Sequence, residues 1–223
     1  MARRNRRQDD AVAILGLGRF GTSLALELMK EDVEVLAVDA DQRIVESLAG
    51  RLTQVVTADT TSEEALRQLS VHEFHRVVIA VGTHLEASIL TATVCLGFET
   101  PEIWAKAISE PHAKILSQLG VHHIVRPEHD MGKRVAHLVA GRMMDYMEFD
   151  DGYAMVKTSP PSAILGQPLR VTEVRKRFGV TIVAIKRPGE DFTYATPETV
   201  VNRGDVIIAS GKTHEVEYFS DQG

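Results

Sequence analysis

Three closely spaced glycines constrain this chain more than any other feature. Residues 11–21 read AVAILGLGRFG, in which Gly16, Gly18 and Gly21 have the spacing G-x-G-x-x-G after a short apolar run. Where a strand opens into a helix, the first glycine permits a tight turn and the second lets the backbone approach a phosphate. The third lets helix and strand pack closely. Because the N–H groups at the start of a helix attract anions, the sequence predicts a phosphate-binding turn here.

Short apolar segments alternate with helical patterns along the first two-thirds of the chain. The predicted strands cover residues 11–15, 33–38, 54–56, 77–81, 103–105 and 124–125. Strands that are apolar throughout are typical of a parallel sheet that is covered by helices on both faces. Right-handed connections between such strands predict a doubly wound, Rossmann-like α/β sheet of about six strands.

One long crossover helix is predicted to follow the sheet. Pro127 suits its first turn, where the missing N–H is not needed. Apolar side chains then recur at spacings of three and four, at Met131, Val135, Leu138, Val139, Met143 and Tyr146. A stripe of this kind needs cover. We expect part of that cover to come from another subunit; packing on the edge of its own sheet is the alternative.

Turn residues become frequent from Gly152 onward, which predicts a small α+β domain rather than more of the parallel sheet. Its predicted strands cover 153–156, 181–185 and 206–209, and its predicted helices cover 171–178 and 213–219. The chain is thus expected to comprise a basic, disordered arm over 1–10, a nucleotide-binding domain over 11–148 that includes the crossover helix, and a second domain over 152–221.

Charge and composition exclude two classes of protein. The formal net charge is −6, whereas binding to a nucleic-acid polymer needs clustered surplus Lys and Arg. The longest weakly charged stretch, 77–98, is interrupted by His84 and Glu86, so we expect no membrane-spanning helix and a soluble protein. The arginines of the arm are expected to form a solubilising tail, and contact with an acidic lipid or a partner is the alternative. The single Cys95 fits a reducing compartment.

Charged residues at two strand ends indicate which phosphate ligand is bound. Asp39 ends the second strand, 18 residues beyond Gly21, where a carboxylate accepts hydrogen bonds from ribose hydroxyls and repels a 2′-phosphate. Arg19 lies between the second and third glycines, and Lys106 ends the fifth strand. Two cations beside a helix N-terminus favour ATP or ADP over NAD. A solvated surface position is the alternative for Arg19.

Features that an oxidoreductase would need are weak. The second domain is small for a substrate domain that also supplies a proton-transfer residue. His122, His123 and His129 lie close together in the sequence, but their spacing does not match that of metal ligands. We interpret them as part of a polar loop, and a metal or catalytic role is the alternative.

Several segments resemble one protein family over nearly the whole chain. They are GLGRFG, VLAVD, IWAKA, PEHDMG at residues 127–132 and the later VRKRFGVTIVAIKRPG. These segments, in this order, are similar to the KtrA/TrkA proteins. Members of that family are cytoplasmic gating rings of bacterial potassium transporters, built from RCK domains (regulators of potassium conductance). One departure is His129, where members often have Lys.

The resemblance implies a regulator without enzymatic activity. It implies a homodimer that assembles into an octameric ring, at the cytoplasmic side of a KtrB/TrkH-like membrane transporter. The implied ligand is ATP or ADP, with a Mg²⁺, Ca²⁺ or Na⁺ ion near Glu128. An NAD(H)-responsive regulator of the same fold is one alternative, and a small NAD-dependent oxidoreductase is another.

The resemblance also assigns candidate site residues. Gly16, Gly18 and Gly21 are expected at the phosphates, Asp39 at the ribose, Asp59 at the adenine, and Arg19 and Lys106 at the terminal phosphate. Phe20 and Gly82 complete the predicted nucleotide site. In the second domain, the family can bind cyclic di-AMP, and the matching positions are Ile164, Leu165, Arg175 and Ile182.

Overall fold

The computed structural model describes residues 11–82, 84–140 and 143–223. The chain forms two compact units, the first ending at Glu128 and the second beginning at His129. This division falls inside the helix that is predicted to belong wholly to the first domain. The predicted basic arm lies outside the described residues. Across the described ranges, no helix is both long enough and apolar enough to span a bilayer.

The described part of the first unit contains a six-stranded parallel sheet. Its strands are β1 (Val12–Leu15), β2 (Val35–Asp39), β3 (Gln54–Thr57), β4 (Arg76–Ile79), β5 (Glu102–Lys106) and β6 (His123–Val125). They are arranged in the order β3-β2-β1-β4-β5-β6, and every pair is parallel. The predicted doubly wound sheet is confirmed.

Helices cover both faces of this sheet. They are α1 (Arg19–Lys30), α2 (Gln42–Leu48), α3 (Glu63–Gln68), α4 (Leu85–Gly97) and α5 (Glu110–Leu119). Successive residues of β1 point to opposite faces: Ile14 packs in the core that includes residues of α1, and Leu15 in the core that includes residues of α4. Because β1 is buried on both faces, it reads as a continuous apolar run. The strand order reverses beside β1, so a crevice opens at the carboxyl ends of β1 and β4.

The long helix ends earlier than the sequence predicts. Helix α6 spans Pro127–Val139, whereas the predicted apolar stripe continues to Tyr146. Tyr146 instead lies in strand β7 (Asp145–Phe149), opposite Val156, and together with Met143 it is buried in the core of the second unit. Both side chains match a helical spacing, but burial in a second core stabilises them more than an exposed stripe would.

An antiparallel sheet forms the second unit. Besides β7, its strands are β8 (Tyr153–Thr158), β9 (Thr181–Lys186), β10 (Thr193–Tyr194) and β11 (Val206–Lys212), in the order β10-β9-β11-β8-β7. Its described α-helices, apart from α6, are α7 (Leu169–Thr172), α8 (Val174–Phe178) and α9 (Thr213–Ser220). The predicted helix over 171–178 is broken at Glu173, whose φ of 47° is left-handed. The edge strands β7 and β10 were not predicted.

Candidate functional site

A cavity of about 670 Å³ lies at the carboxyl ends of the parallel strands. Most of the residues that the sequence nominates for a nucleotide or its cation line it: Gly16, Gly18, Arg19, Phe20, Asp39, Asp59, Gly82, Lys106 and, for the cation, Glu128. Gly21 is not part of the lining, and it lies behind the turn. The structure therefore brings together side chains that are more than 100 residues apart in the sequence.

The glycine turn is shaped by two steric requirements. Gly16 has a φ of +101°, and a Cβ there would lie 2.8 Å from the backbone nitrogen of Val81. A Cβ on Gly21 would overlap the carbonyl oxygen of Gly16. Gly18 differs, because a Cβ at that position would meet nothing within 4 Å. It is the N-cap of α1, whose first turn carries no acidic residue, so the N–H groups there are available to an anion.

Backbone N–H groups hold Asp39 in place at the end of β2. Its Oδ2 accepts a hydrogen bond from the nitrogen of Leu17 at 2.6 Å, and its Oδ1 accepts one from the nitrogen of Asp41 at 2.8 Å. An ionised carboxylate has about four lone-pair sites. The two oxygens can therefore still accept hydrogen bonds from a ligand in the cavity.

Asp59 lies in a tight turn after β3. Its Oδ1 accepts hydrogen bonds from the backbone nitrogen of Thr61 at 2.9 Å and from the Thr61 hydroxyl at 2.7 Å. These two bonds lower the pKa of the Asp59 carboxyl, and the bond from the backbone nitrogen has the larger effect. Asp59 is therefore a fixed negative charge at the rim of the cavity.

Lys106 and Glu128 form an ion pair at the other side of the cavity. Lys106 is buried, and its Nζ donates a hydrogen bond to Glu128 Oε1 at 2.6 Å. That hydrogen bond is the main cause of the lowered pKa of Glu128, and the charge of Arg19 contributes as well. The ammonium is closely surrounded: a Cβ on Gly82 would lie 3.2 Å from it, and the ring centre of Phe20 is 5.9 Å away.

This ion pair was not predicted from the sequence, which assigned Lys106 to a phosphate and Glu128 to a cation. The sequence signal is weak: Lys106 ends β5, Glu128 follows shortly after β6, and these two strands are neighbours in the sheet. No group of three or more His, Cys, Asp or Glu residues in the described ranges could hold a metal ion. A cation beside Glu128 would therefore need ligands from a nucleotide, from water or from another subunit.

Apolar side chains of the cavity were also not predicted. Ile44 of α2 and Ile108, which follows β5, both line it. Their sequence signals are weak, because Ile44 belongs to an ordinary amphipathic helix and Ile108 is a single large apolar residue between Ala107 and Ser109. Such apolar walls are typical of small-molecule sites.

The residues nominated in the second unit separate into two groups. Arg175 and Ile182 line a cavity of about 440 Å³ beside α7, α8 and β9. The Nε of Arg175 donates a hydrogen bond to the Thr181 hydroxyl at 3.1 Å. Ile164 is fully buried in the core, with 0% exposure, and Leu165 packs against that core. Neither residue lines the cavity. Both side chains are apolar and pack in the interior of the unit instead.

The fold and the first cavity define a class of protein: a Rossmann-like α/β domain, with a cavity at the carboxyl ends of its strands, followed by a small α+β domain. The chain matches the TrkA-N domain over residues 12–127 and the TrkA-C domain over residues 153–222. It is 36% identical over 208 residues to Ktr system potassium uptake protein C of Bacillus subtilis, covering 93% of this chain and 94% of that protein. The chain therefore belongs to the TrkA family, which confirms the resemblance to KtrA/TrkA proteins.

Solved structures agree on the fold. The GsuK RCK domain is similar with a TM-score of 0.63 and 16% identity, over 94% of this chain and 47% of that one. The GsuK channel bound to NAD is similar with a TM-score of 0.53 and 22% identity, over 96% of this chain and 38% of that one. This chain thus spans less than half the length of either protein. The expected RCK-type architecture is confirmed.

Proposed function

We propose that this protein is a regulatory subunit of a potassium-transport system, which binds ADP or ATP in the first cavity and catalyses no reaction. Membership of the TrkA family and the similarity to a Ktr potassium uptake protein support this role. The observation that carries the nucleotide assignment is the buried ammonium of Lys106 in a cavity that also contains the glycine turn.

Electrostatics favours a ligand with several phosphates. Arg19 and Lys106 line the same cavity, together with the N-terminus of α1. In the structure, Glu128 balances the charge of Lys106. A terminal phosphate would compete with Glu128 for the ammonium. Alternatively, a Mg²⁺, Ca²⁺ or Na⁺ ion between Glu128 and the phosphate would let both anions remain, since a bridging cation removes their repulsion.

NAD(H) is the second candidate ligand. The GsuK channel, which shares the fold, has been solved with NAD bound, and a cavity of about 670 Å³ is within the usual range for small-molecule sites. Asp39 disfavours NADP(H), because its carboxylate would repel the 2′-phosphate. This holds whether the natural ligand is an adenine nucleotide or NAD(H). A redox enzyme would need, in addition, a proton-transfer residue close to a substrate.

The surface of α6 supports assembly with further copies. None of the residues in this helix is buried, and the side chains of Met131, Val135 and Val139 are exposed, the last by 79%. We propose that a second copy covers part of this stripe and that dimers form an octameric ring. The ring would act at the cytoplasmic face of a KtrB/TrkH-like transporter.

The cavity of the second unit is the proposed site for cyclic di-AMP. Arg175 supplies a guanidinium for a phosphate, and Ile182 an apolar wall for a base. A two-fold axis between copies would present the pair of arginines that a symmetric dinucleotide needs. A dimer core without a ligand is the alternative for this surface.

Calorimetry with ADP, ATP, NADH and NADPH tests the nucleotide assignment. We expect ADP and ATP to bind, and NADPH to bind more weakly than NADH because Asp39 repels its extra phosphate. An Asp39→Asn variant is the matched control, and it should narrow the gap between NADH and NADPH. NADPH binding equal to that of NADH in the unmodified protein would contradict the assignment of Asp39.

Co-purification with the membrane subunit of a potassium transporter tests the proposed partner.

A further inference from the structure

His112 is a buried histidine that lies outside the nucleotide cavity and contacts its wall. It occupies the third position of α5 and is only 1% exposed. Its Nδ1 accepts a hydrogen bond from the backbone nitrogen of Ile108 at 3.3 Å. Ile108 lines the cavity and lies two residues after Lys106. The imidazole therefore holds the segment that leaves β5 along the edge of the cavity.

The local geometry is a variant of the capping box. In the usual motif, the N-cap hydroxyl accepts from the third residue of the helix, whose side chain reaches back to the N-cap backbone. Here Ser109 Oγ accepts from the His112 nitrogen at 3.3 Å, and the His112 side chain reaches back one residue further, to Ile108. A glutamate in this position would be a common residue of the motif, whereas the imidazole is an acceptor that protonation can remove.

The hydrogen bond from Ile108 also determines the tautomer. Since Nδ1 accepts, the proton of the neutral ring is on Nε2, which is buried and has no hydrogen-bond partner among the described residues. A protonated ring would have N–H groups at both nitrogens, and the one at Nδ1 would face the N–H of Ile108. The structure is therefore compatible with the neutral ring only.

We propose that His112 is a positioning residue for the nucleotide cavity, and that protonation of its ring, as the pH falls, releases Ile108 and weakens nucleotide binding. This inference rests on the proposed function, because it assigns to that same cavity a dependence on pH.

Charged and titratable neighbours do not account for the protonation state of His112. On its own helix they are Glu110 and Lys114. On α4 and β6, which pack against that helix, they are Glu86, Cys95 and His123. Glu110 pairs with Arg126, and Glu86 is exposed. Burial raises the pKa of Cys95 to about 12, so the thiol is neutral. Burial is also the cause of the lowered pKa of His112.

The lowered pKa of His112 determines whether acid strengthens or weakens nucleotide binding. Histidine has an ordinary pKa of about 6.5, and the folded state lowers it by favouring the neutral ring. Above about pH 6.5 the ring is neutral in both the folded and the unfolded chain, and the bond to Ile108 is intact. As the pH falls through the lowered value, the bond is lost, and with it the stability and the nucleotide affinity that depend on it.

Two substitutions separate the hydrogen bond from the bulk of the side chain. In His112→Asn, the amide oxygen takes the place of Nδ1 and does not titrate. In His112→Leu, the volume is kept but the acceptor is lost. At about pH 8 we expect ADP affinity to be unchanged in the Asn variant and reduced about fivefold in the Leu variant. As the pH is lowered from about 8 through the pKa of His112, the unmodified protein should lose up to about fivefold more affinity than the Asn variant. The titration of ADP itself is common to both proteins and cancels in this comparison.

Hydrogen exchange gives a measurement without ligand. At about pH 7.5 the amide of Ile108 should exchange faster in the Leu variant than in the unmodified protein, and at the unmodified rate in the Asn variant. Parallel pH profiles of ADP binding in the unmodified and Asn proteins would overturn the inference and leave the proposed function intact. Absence of adenine-nucleotide binding by the unmodified protein at pH 8 would instead contradict the proposed function, and the inference would fail with it.

Discussion

The cavity at the glycine turn and the cavity beside Arg175 hold their polar side chains in different ways. In the first unit, Asp39 is fixed by two backbone N–H groups, and the ammonium of Lys106 is buried against Glu128. In the second unit, Arg175 is exposed on a five-residue helix, and its hydrogen bond is to the hydroxyl of Thr181. The strands of the parallel sheet end at one edge, so residues distant in sequence meet there on a rigid core. We infer that the first cavity is preorganised, whereas the second depends on its ligand or on a second copy for its final geometry.

The largest effect is expected at the glycine turn. Gly21→Ala places a Cβ against the carbonyl oxygen of Gly16, so the strand and helix must separate. Overpacking of this kind costs about 1–3 kcal/mol and sometimes more, and ADP binding should be abolished. Gly18→Ala is the control, because a Cβ there meets nothing within 4 Å. Thermal unfolding should show a lower midpoint for the Gly21 variant alone. Equal midpoints for both variants would mean that the turn tolerates a side chain at either position.

Removing the buried ammonium should affect only the first cavity. A charge-assisted hydrogen bond contributes about 1.5–3 kcal/mol, so Lys106→Met should weaken ADP binding by about tenfold or more. Stability should change little, because Glu128 is largely exposed and can be solvated when its partner is lost. Lys176→Met, in the lining of the second cavity, is the matched control and should leave ADP affinity unchanged. Calorimetry measures both, and an equal loss in the two variants would contradict the assignment of Lys106.

Arg175→Ala tests the second cavity. It should weaken cyclic di-AMP binding by about tenfold, while ADP binding stays the same, because Arg175 lines the second cavity and not the first. Arg187→Ala, a substitution outside the lining of that cavity, should change neither affinity. If the unmodified protein does not bind cyclic di-AMP at all, the second unit is a dimerisation module or binds another ligand.

The smallest effect is expected when the carboxylate of Glu128, the proposed cation ligand, is removed. In Glu128→Gln, added Mg²⁺ or Ca²⁺ should no longer strengthen ATP binding, since the carboxylate that would contact the cation is lost. ATP affinity without the cation should be equal or slightly higher, because Glu128 no longer competes for Lys106. Titrations with and without Mg²⁺ measure the difference. A cation dependence that survives unchanged would leave Glu128 as a partner of Lys106 alone.

Local patterns in the sequence determined much of the first unit and its cavity. Gly16, Gly18 and Gly21 could be recognised because their roles depend on backbone conformation and close packing within one strand–turn–helix segment. Asp39 and Lys106 could be placed because each ends an apolar strand, and parallel strands end at one edge of a sheet. The alternation of strands and helices was also sufficient to predict the order of layers. These features are local or depend on a topology that few connections allow.

Only the tertiary structure decided which partners these residues have. It paired Lys106 with Glu128, although no spacing rule links their side chains. It also ended α6 at Val139 and moved Tyr146 into a strand, because a buried position in the second core was available to that side chain. Periodicity cannot distinguish such outcomes, since the same apolar residue suits a helix stripe or a strand face. The choice depends on which surface is present to cover it, and that surface comes from elsewhere in the chain.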